Sequence, residues 1–176
     1  MIIVVLLSLF FIVILIAKKD SKSHKNLSPL YYRTNSENLE KAIRYTANLI
    51  NSSEDEIAIL SGSLKNELHK HLQTKDAYIQ ASKRDVHLSL ITSANEIKEL
   101  KENEEELYNA FSSIKSINEE DLKKINHFMI FDGKHIRIEE RHGVSNPDKL
   151  WTAHYFYNNR KIAKKELEVF KRLSSL

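Results

Sequence analysis

The chain has 176 residues, with 27 Lys and Arg, 24 Asp and Glu, and no cysteine. The lack of cysteine excludes disulfides and thiolate-bound metal ions. Residues 1–25 carry four Lys and one Asp, so residues 26–176 are formally neutral, with 23 basic and 23 acidic side chains. A neutral domain lacks the bulk charge that is typical of nucleic-acid-binding proteins, so nucleic acid is not an expected partner.

The first 17 residues form an apolar run in which only Ser8 is polar. This length is at the short end of what spans a bilayer as a helix, and we expect residues 1–17 to form a transmembrane anchor. Four lysines follow the run: Lys18, Lys19, Lys22 and Lys25. No Lys or Arg precedes it, so the positive-inside rule predicts a single-pass membrane protein with a cytoplasmic carboxyl-terminal domain. The lysines also favour contact with anionic lipid headgroups.

A cleaved signal peptide is the alternative interpretation of the same run. The basic region that opens a signal peptide is missing here, and so is an Ala-x-Ala spacing before Lys18. The anchor is therefore the preferred interpretation, with a basic juxtamembrane linker over 18–35 and one domain over 36–176.

Apolar periodicity and turn residues predict the elements of that domain. The first elements are a helix over 39–50, opened by a Thr34–Glu37 capping box, then a strand over 57–60 and a helix with Leu64, Leu68 and Leu72 on one face. A strand over 86–91 follows, and then a helix over 97–114, opened by a Ser93–Glu96 capping box. The last elements are strands over 127–131, 134–139 and 151–157 and a helix over 162–173. Asp132-Gly133 predicts a hairpin turn. Strands separated by helices predict parallel neighbours, and the hairpin adds an antiparallel part. The predicted fold class is therefore α/β, with a mixed sheet flanked by helices and preceded by the transmembrane helix.

The segment Ser61-Gly62-Ser63 is a candidate ligand-binding loop. It lies between a predicted strand and a predicted helix, where backbone N–H groups and two hydroxyls can hold an anion. The alternative is an ordinary helix start in which Ser63 is the N-cap. Only three glycines occur in the chain, so a Gly-rich phosphate-binding loop is excluded.

The histidines do not follow a known metal-ligand spacing, and no metal or other cofactor is expected. His69 and His71 are two residues apart on a predicted helix, so their side chains diverge. His127, His135 and His154 lie on three candidate strands and can form an acid–base site if those strands are neighbours. The alternative is that each is a surface or hydrogen-bonded residue.

The charged and aromatic residues of the last third also allow a structural interpretation. Arg137 and Arg141 can form ion pairs within the chain with Glu139 and Glu140. Aromatic side chains alternate over 151–157, which is typical of packing in a strand.

Three segments of this pattern resemble one half of the phospholipase D superfamily. Residues 57–62 resemble an early core strand, 127–134 resemble the strand and hairpin that carry the catalytic motif, and 153–170 resemble the closing strand and helix. The resemblance covers residues 36–173. It implies the fold of a single half, which in this superfamily pairs as a dimer through an isologous contact.

The catalytic signature of that superfamily is His-x-Lys-x-x-x-x-Asp, in which the His attacks phosphorus. Asp132 matches the final Asp, but Ile125 stands at the position of the nucleophile and His127 at that of the Lys. The Gly-Ser-x-Asn element that should follow is replaced by the sequence of residues 139–142. An isoleucine cannot attack a phosphodiester, so the resemblance implies the fold and argues against the activity.

The resulting hypothesis is a membrane-anchored, non-catalytic phospholipase D-like domain. It would bind or scaffold another chain, a second copy or a related protein, at the cytoplasmic membrane face. The alternative is a divergent phosphodiesterase or nuclease that uses His127 and Asp132 with help from His135 or His154. A third hypothesis is a module that binds lipid or nucleic acid without chemistry.

Overall fold

The computed structural model describes residues 30–35, 38–62, 64, 67–139 and 152–175. The predicted anchor over 1–17 and the Ser63 side chain lie outside these residues. Within the described part of the chain, no helix has the length and apolar character needed to cross a bilayer.

The described residues form seven strands and seven helices. The strands are β1 (Leu30–Asn35), β2 (Glu56–Leu60), β3 (His87–Thr92), β4 (Ser113–Ser116), β5 (His127–Phe131), β6 (His135–Glu139) and β7 (Thr152–Tyr157). The helices are α1 (Leu39–Ser52), α2 (Glu67–Lys70), α3 (Leu72–Lys83), α4 (Ala94–Asn103), α5 (Glu105–Ala110), α6 (Glu119–Leu122) and α7 (Arg160–Ser175).

The strands form one mixed sheet in the order β1-β7-β6-β5-β2-β3-β4. The β2, β3 and β4 strands are parallel, because helices connect them, and β5 joins β2 antiparallel. The β5–β6 hairpin turns at Asp132 and Gly133, whose φ values of 48° and 59° are both positive, as a type I′ turn requires. The predicted mixed α/β sheet flanked by helices is confirmed.

Helices cover both faces of the sheet, so both faces of the central strands are apolar. Ile57 and Ile59 of β2 pack into one core with residues of α1, α3, α4 and α5. Ala58 and Leu60 point the other way and pack into a second core with α6 and α7. We call these the α3 face and the α7 face of the sheet.

The predicted linker over 18–35 is wrong at its end, because Leu30–Asn35 forms the edge strand β1. This strand pairs antiparallel with β7, with Leu30 opposite Tyr157. Thr34 is buried in β1 and cannot open a capping box, and the N-cap of α1 is Asn38, whose side chain makes no capping hydrogen bond. A strand partner more than 100 residues away leaves no local signal in the sequence.

Two predicted helices are also divided differently. Leu64 and Leu68 are buried, but Leu72 is 73% exposed because it begins a separate helix, α3. The predicted helix over 97–114 is broken at Glu104, whose φ of −141° is not helical, and its last residues form β4. The Ser93 cap is confirmed, since its side chain accepts the Glu96 N–H.

Candidate functional site

The carboxyl ends of β2 and β3 meet the first residue of β5 at one edge of the sheet, which we call the carboxyl edge. Ser61 follows β2 directly, and its N–H donates to the Ile91 carbonyl at 3.1 Å. Since Leu60 pairs with Phe128, Ser61 and His127 are the next residues outward on neighbouring strands. Open α/β sheets bind ligands at this edge.

Gly62 and His127 are in direct contact. A Cβ atom at Gly62 would lie 2.7 Å from His127 Cε1 and 2.8 Å from Nε2, so only glycine leaves room for the imidazole. Ser61 beside them is 5% exposed. The structure therefore brings two predicted ligand-binding residues, Ser61 and Gly62, to His127, and the third, Ser63, lies outside the described residues.

Asp132 lies at the opposite end of β5, which we call the amino edge. Its carboxylate accepts hydrogen bonds from the backbone N–H groups of Glu54, Asp55 and Glu56 at 3.2, 3.0 and 3.3 Å. Burial opposes its charge, but the Asp55 N–H and Lys134, 3.2 Å away, lower the pKa of Asp132 below its usual value. Asp132 is five residue steps along the extended chain from His127, a distance of about 16 Å. The structure therefore does not place His127 and Asp132 in one site.

His135 and His154 do not join His127 either. His135 lies at the amino edge, where its Nδ1 accepts the Asn158 N–H at 2.9 Å and burial lowers its pKa. His154 lies on the α7 face of β7, with its Nδ1 2.7 Å from the Tyr31 hydroxyl. The three strand histidines occupy three separate places, and these two are hydrogen-bonded residues as the alternative interpretation proposed.

A buried polar cluster, which the sequence analysis did not identify, lies next to His127 on the α3 face. His69 is 2% exposed, and the Tyr78 hydroxyl is 3.0 Å from its Nδ1. Burial, together with the positive charge of Arg137, lowers the pKa of His69 to about 3. Burial raises the pKa of Tyr78, so at neutral pH His69 is neutral and Tyr78 keeps its proton.

Arg137 and Glu139 form an ion pair inside the same cluster. Arg137 Nη2 donates to Glu139 Oε2 at 2.8 Å, and the two side chains are 2% and 5% exposed. Burial disfavours the guanidinium charge, but Tyr155 and Glu139 outweigh it and raise the pKa of Arg137. The Tyr155 hydroxyl accepts from Arg137 Nε at 3.2 Å and donates to the Ala42 carbonyl. The predicted ion pair of Arg137 and Glu139 is thus observed, but buried.

Apolar and charged residues alternate along β6, and this pattern could have predicted the buried cluster from the sequence. Ile136 and Ile138 pack on the α7 face, so Arg137 and Glu139 face the other side of the sheet. Since helices cover that side as well, both charges must be buried.

A cavity of about 270 Å³ opens beside the cluster. It is lined by Leu64, His69, Lys70, Lys75, Glu96, Glu99, Leu100, Asn103, Glu104 and Leu107. Glu96 is 6% exposed, and its Oε1 accepts the Leu64 N–H at 2.8 Å, so this carboxylate holds the chain that follows the Ser61-Gly62 loop. Across the described ranges, no group of three or more His, Asp or Glu is placed to hold a metal ion.

No protein-family model and no curated protein sequence matches the chain. Solved structures do match. Nuc from Salmonella typhimurium, a phospholipase D family member, superposes with a TM-score of 0.61 at 13% identity and covers 84% of this chain and 95% of its own. The chain has a phospholipase D-like fold. NucT from Helicobacter pylori superposes with a TM-score of 0.60 at 8% identity, over 84% of this chain and 97% of NucT.

The phospholipase D-like fold also matches parts of longer proteins. TrmBL2, an archaeal chromatin protein that binds DNA, superposes with a TM-score of 0.61 at 14% identity and covers 90% of this chain. The chain spans only 60% of TrmBL2. All these identities are low, so the similarity concerns the fold.

Ile125 takes no part in the carboxyl-edge cluster. Its side chain is partly buried and packs against the apolar core on the α7 face. Strand alternation places His127 on the opposite face, with Met129 and Phe131. The two residues that the superfamily signature would use together therefore point into different layers.

Proposed function

We propose that this protein is a membrane-anchored phospholipase D-like domain that binds or scaffolds another chain at the cytoplasmic membrane face without cleaving phosphodiesters. The observation that carries the proposal is the packing of Ile125. At the position of the nucleophile it offers no lone pair, and its side chain belongs to an apolar core. A restored histidine there would have to leave that core to reach His127.

The electrostatics of the carboxyl edge support the same proposal. Phosphoryl transfer needs positive charge directed at the phosphate oxygens. Here the charge of Arg137 is buried against Glu139, and His69 is neutral because its pKa is about 3. A buried neutral cluster beside a loop is better suited to fixing the shape of a binding surface than to stabilising an anionic transition state.

The alternative, a divergent phosphodiesterase, is favoured by one observation, the contact of His127 with the Ser61-Gly62 loop at the carboxyl edge.

The test uses the full chain in detergent micelles with a generic phosphodiester, single-stranded DNA and phosphatidylcholine, each with Mg²⁺ or with EDTA. We expect no turnover above buffer. His127→Ala is compared with His87→Ala, which changes an exposed histidine at the other end of the sheet. Turnover that His127→Ala abolishes and His87→Ala preserves would overturn the proposal.

The anchor is proposed from the apolar run over 1–17 and the lysines that follow it. Because the chain has no cysteine, a single cysteine reports topology without background labelling. We expect Glu102→Cys, an exposed position on α4, to react with a membrane-impermeant maleimide in inverted membrane vesicles and to be protected in right-side-out vesicles. The chain should stay in the membrane after carbonate extraction. A soluble chain whose mass lacks the first segment would instead identify a cleaved signal peptide.

The partner that we propose is a second copy of the chain or a related phospholipase D-like chain. This rests on the single-half resemblance. Sedimentation of the full chain in micelles of known mass tests it, and a dimer is the expected species. A monomer at every concentration would leave the related chain as the partner to be sought by co-purification.

A further inference from the structure

Helix α7 presents a strongly basic surface on one face of the domain. Six of its residues are basic and two are acidic: Arg160, Lys161, Lys164, Lys165, Lys171 and Arg172 against Glu166 and Glu168. All six cations are exposed, whereas Ala163 and Phe170 are buried against the sheet. Among the described residues, Lys165 is the one of the six that has an ion pair, 3.9 Å from Glu166. The surface is therefore largely uncompensated.

The position of these cations conflicts with the stability of the helix itself. The first turn of α7 contains Arg160 and Lys161 and no acidic residue. The amino terminus of a helix carries partial positive charge, so cations there are unfavourable. Charges that oppose local stability are expected where they serve an interaction.

An exposed aromatic residue extends the surface onto the neighbouring strand. Tyr31 of β1 is 51% exposed, and its ring lies 5.1 Å from that of Phe156 and 5.8 Å from that of His154. Phe156 packs against the α7-face core, which places Tyr31 on the same face as α7. Tyrosine with neighbouring lysines is typical of residues at a membrane–water interface.

The chain enters this surface from the direction of the predicted anchor. Leu30, the first described residue, pairs with Tyr157, only three residues before Arg160 begins α7. Twelve residues separate Ala17 from Leu30, which reach at most about 40 Å when extended. If residues 1–17 are embedded in the bilayer, this length allows the start of α7 to reach the headgroups.

The α4 and α5 helices carry an excess of acidic residues. Residues 94–110 carry six Glu and two Lys. The α4 and α5 helices within this range pack on the α3 face, across the sheet from α7. The short helix α6 lies on the α7 face, but two of its three acidic residues, Glu120 and Asp121, form ion pairs with Lys123 and Lys124. The charge of the domain is therefore unevenly distributed, and an anionic plane attracts the α7 surface more strongly than the surface of α4 and α5.

We propose that the exposed face of α7, together with Tyr31, rests on the anionic lipid headgroups of the bilayer that holds the anchor. The inference rests on the proposed membrane anchor and adds an orientation to it. The Ser61-Gly62-His127 site and the adjoining cavity lie toward the α3 face, so they would open to the aqueous side. Their ligand is then a soluble molecule or another chain, and not a lipid of the same membrane.

The test places a fluorophore on a single cysteine in the full chain, reconstituted in phosphatidylcholine alone or mixed with phosphatidylglycerol, with a headgroup quencher. Glu168→Cys reports the α7 face, and Glu102→Cys, an exposed glutamate on α4, is the matched control. We expect quenching at position 168 that depends on phosphatidylglycerol, and none at position 102. Equal exposure of both positions in both membranes would overturn the orientation.

Charge variants test the chemistry of the contact. Lys161→Gln/Lys164→Gln is expected to weaken the contact equilibrium about 25-fold, since each cation near an anionic surface contributes a factor of about five. Lys98→Gln/Lys101→Gln on α4 should leave it unchanged. If the α7 lysines do not affect quenching but are required to capture duplex DNA, the surface is a nucleic-acid site and the inference is wrong.

Carbonate extraction separates the proposed anchor from the proposed orientation. A chain that is released overturns both, and a chain that stays embedded without quenching at position 168 overturns the orientation alone.

Discussion

The contact between Gly62 and His127 determines how the carboxyl-edge loop is held. A Cβ at Gly62 would lie within 3 Å of two imidazole atoms, so Gly62→Ala must displace the ring. Because the displaced atoms are the tip of a partly exposed side chain, we expect a loss of about 1 kcal/mol in unfolding free energy, at the low end for overpacking. Urea unfolding of the full chain in micelles measures it.

The matched control for that substitution is a double-mutant cycle. In a His127→Ala background the added methyl group has room, so Gly62→Ala should cost almost nothing. An unchanged cost in that background would mean that backbone conformation, and not the imidazole, requires glycine at this position.

Glu139 tests whether the buried cluster behaves as one unit. Glu139→Gln leaves the Arg137 charge buried without its carboxylate, which costs about 3–5 kcal/mol in comparable pairs. We expect a loss of about 3 kcal/mol in unfolding free energy. Removing both charges, as Arg137→Met/Glu139→Leu, should cost less than Glu139→Gln alone. Glu120→Gln, which breaks an exposed pair with Lys123, is the control and should leave the unfolding free energy nearly unchanged.

His69 should make the folded state sensitive to acid. Its pKa is about 3 in the folded chain and near 6.5 when unfolded, so below pH 6.5 the unfolded chain binds the additional proton. Stability from the neutral imidazole is complete above pH 6.5 and falls by about 1.4 kcal/mol per pH unit below it. Unfolding measured from about pH 6.5 to 5 should show this slope, and His69→Gln should remove it. His87→Gln, which changes an exposed histidine at the start of β3, is the comparison variant.

At the scale of elements, the sequence pattern correctly predicted the helices and the hairpin that are formed by residues close together in the chain. The α1 and α7 helices and the β5–β6 hairpin follow from apolar periodicity and from Asp132-Gly133, because the residues that form them are close in sequence. The β1 and β4 strands were missed because their partners, β7 and β3, are distant in sequence. Leu107, Phe111 and Ile114 have helical spacing, yet pairing of Ile114 with Leu90 in β3 requires an extended chain there.

Helix α7 allows a prediction that separates stability from the proposed membrane contact. Lys161 lies in the first turn, so Lys161→Glu should raise the unfolding free energy by about 0.5 kcal/mol through the helix dipole. Lys171→Glu near the other end should lower it by a similar amount. Both variants should weaken the contact with phosphatidylglycerol. If Lys161→Glu destabilises the chain, its side chain has a structural contact that outweighs the dipole.

At the scale of the whole molecule, the two edges of the sheet hold different sets of candidate site residues. Asp132 at the amino edge joins the hairpin to the start of β2, because its carboxylate accepts the backbone N–H groups of Asp55 and Glu56. Ser61, Gly62 and His127 are brought together at the carboxyl edge only because β5 runs antiparallel to β2 with this register. Spacing along the chain could nominate these residues, but the choice between the two edges required the strand pairing.

The anchor and the α7 surface should respond differently to salt, because one is apolar and the other electrostatic. The Debye length falls from about 14 Å at 0.05 M salt to about 4 Å at 0.5 M. Over this range we expect quenching at Glu168→Cys to decrease to the level seen in pure phosphatidylcholine, while the chain remains in the membrane fraction. The domain would then be free to turn on its linker. Quenching that persists at high salt would show that apolar insertion, for example of Tyr31, holds the domain down, and Tyr31→Ala should then release it.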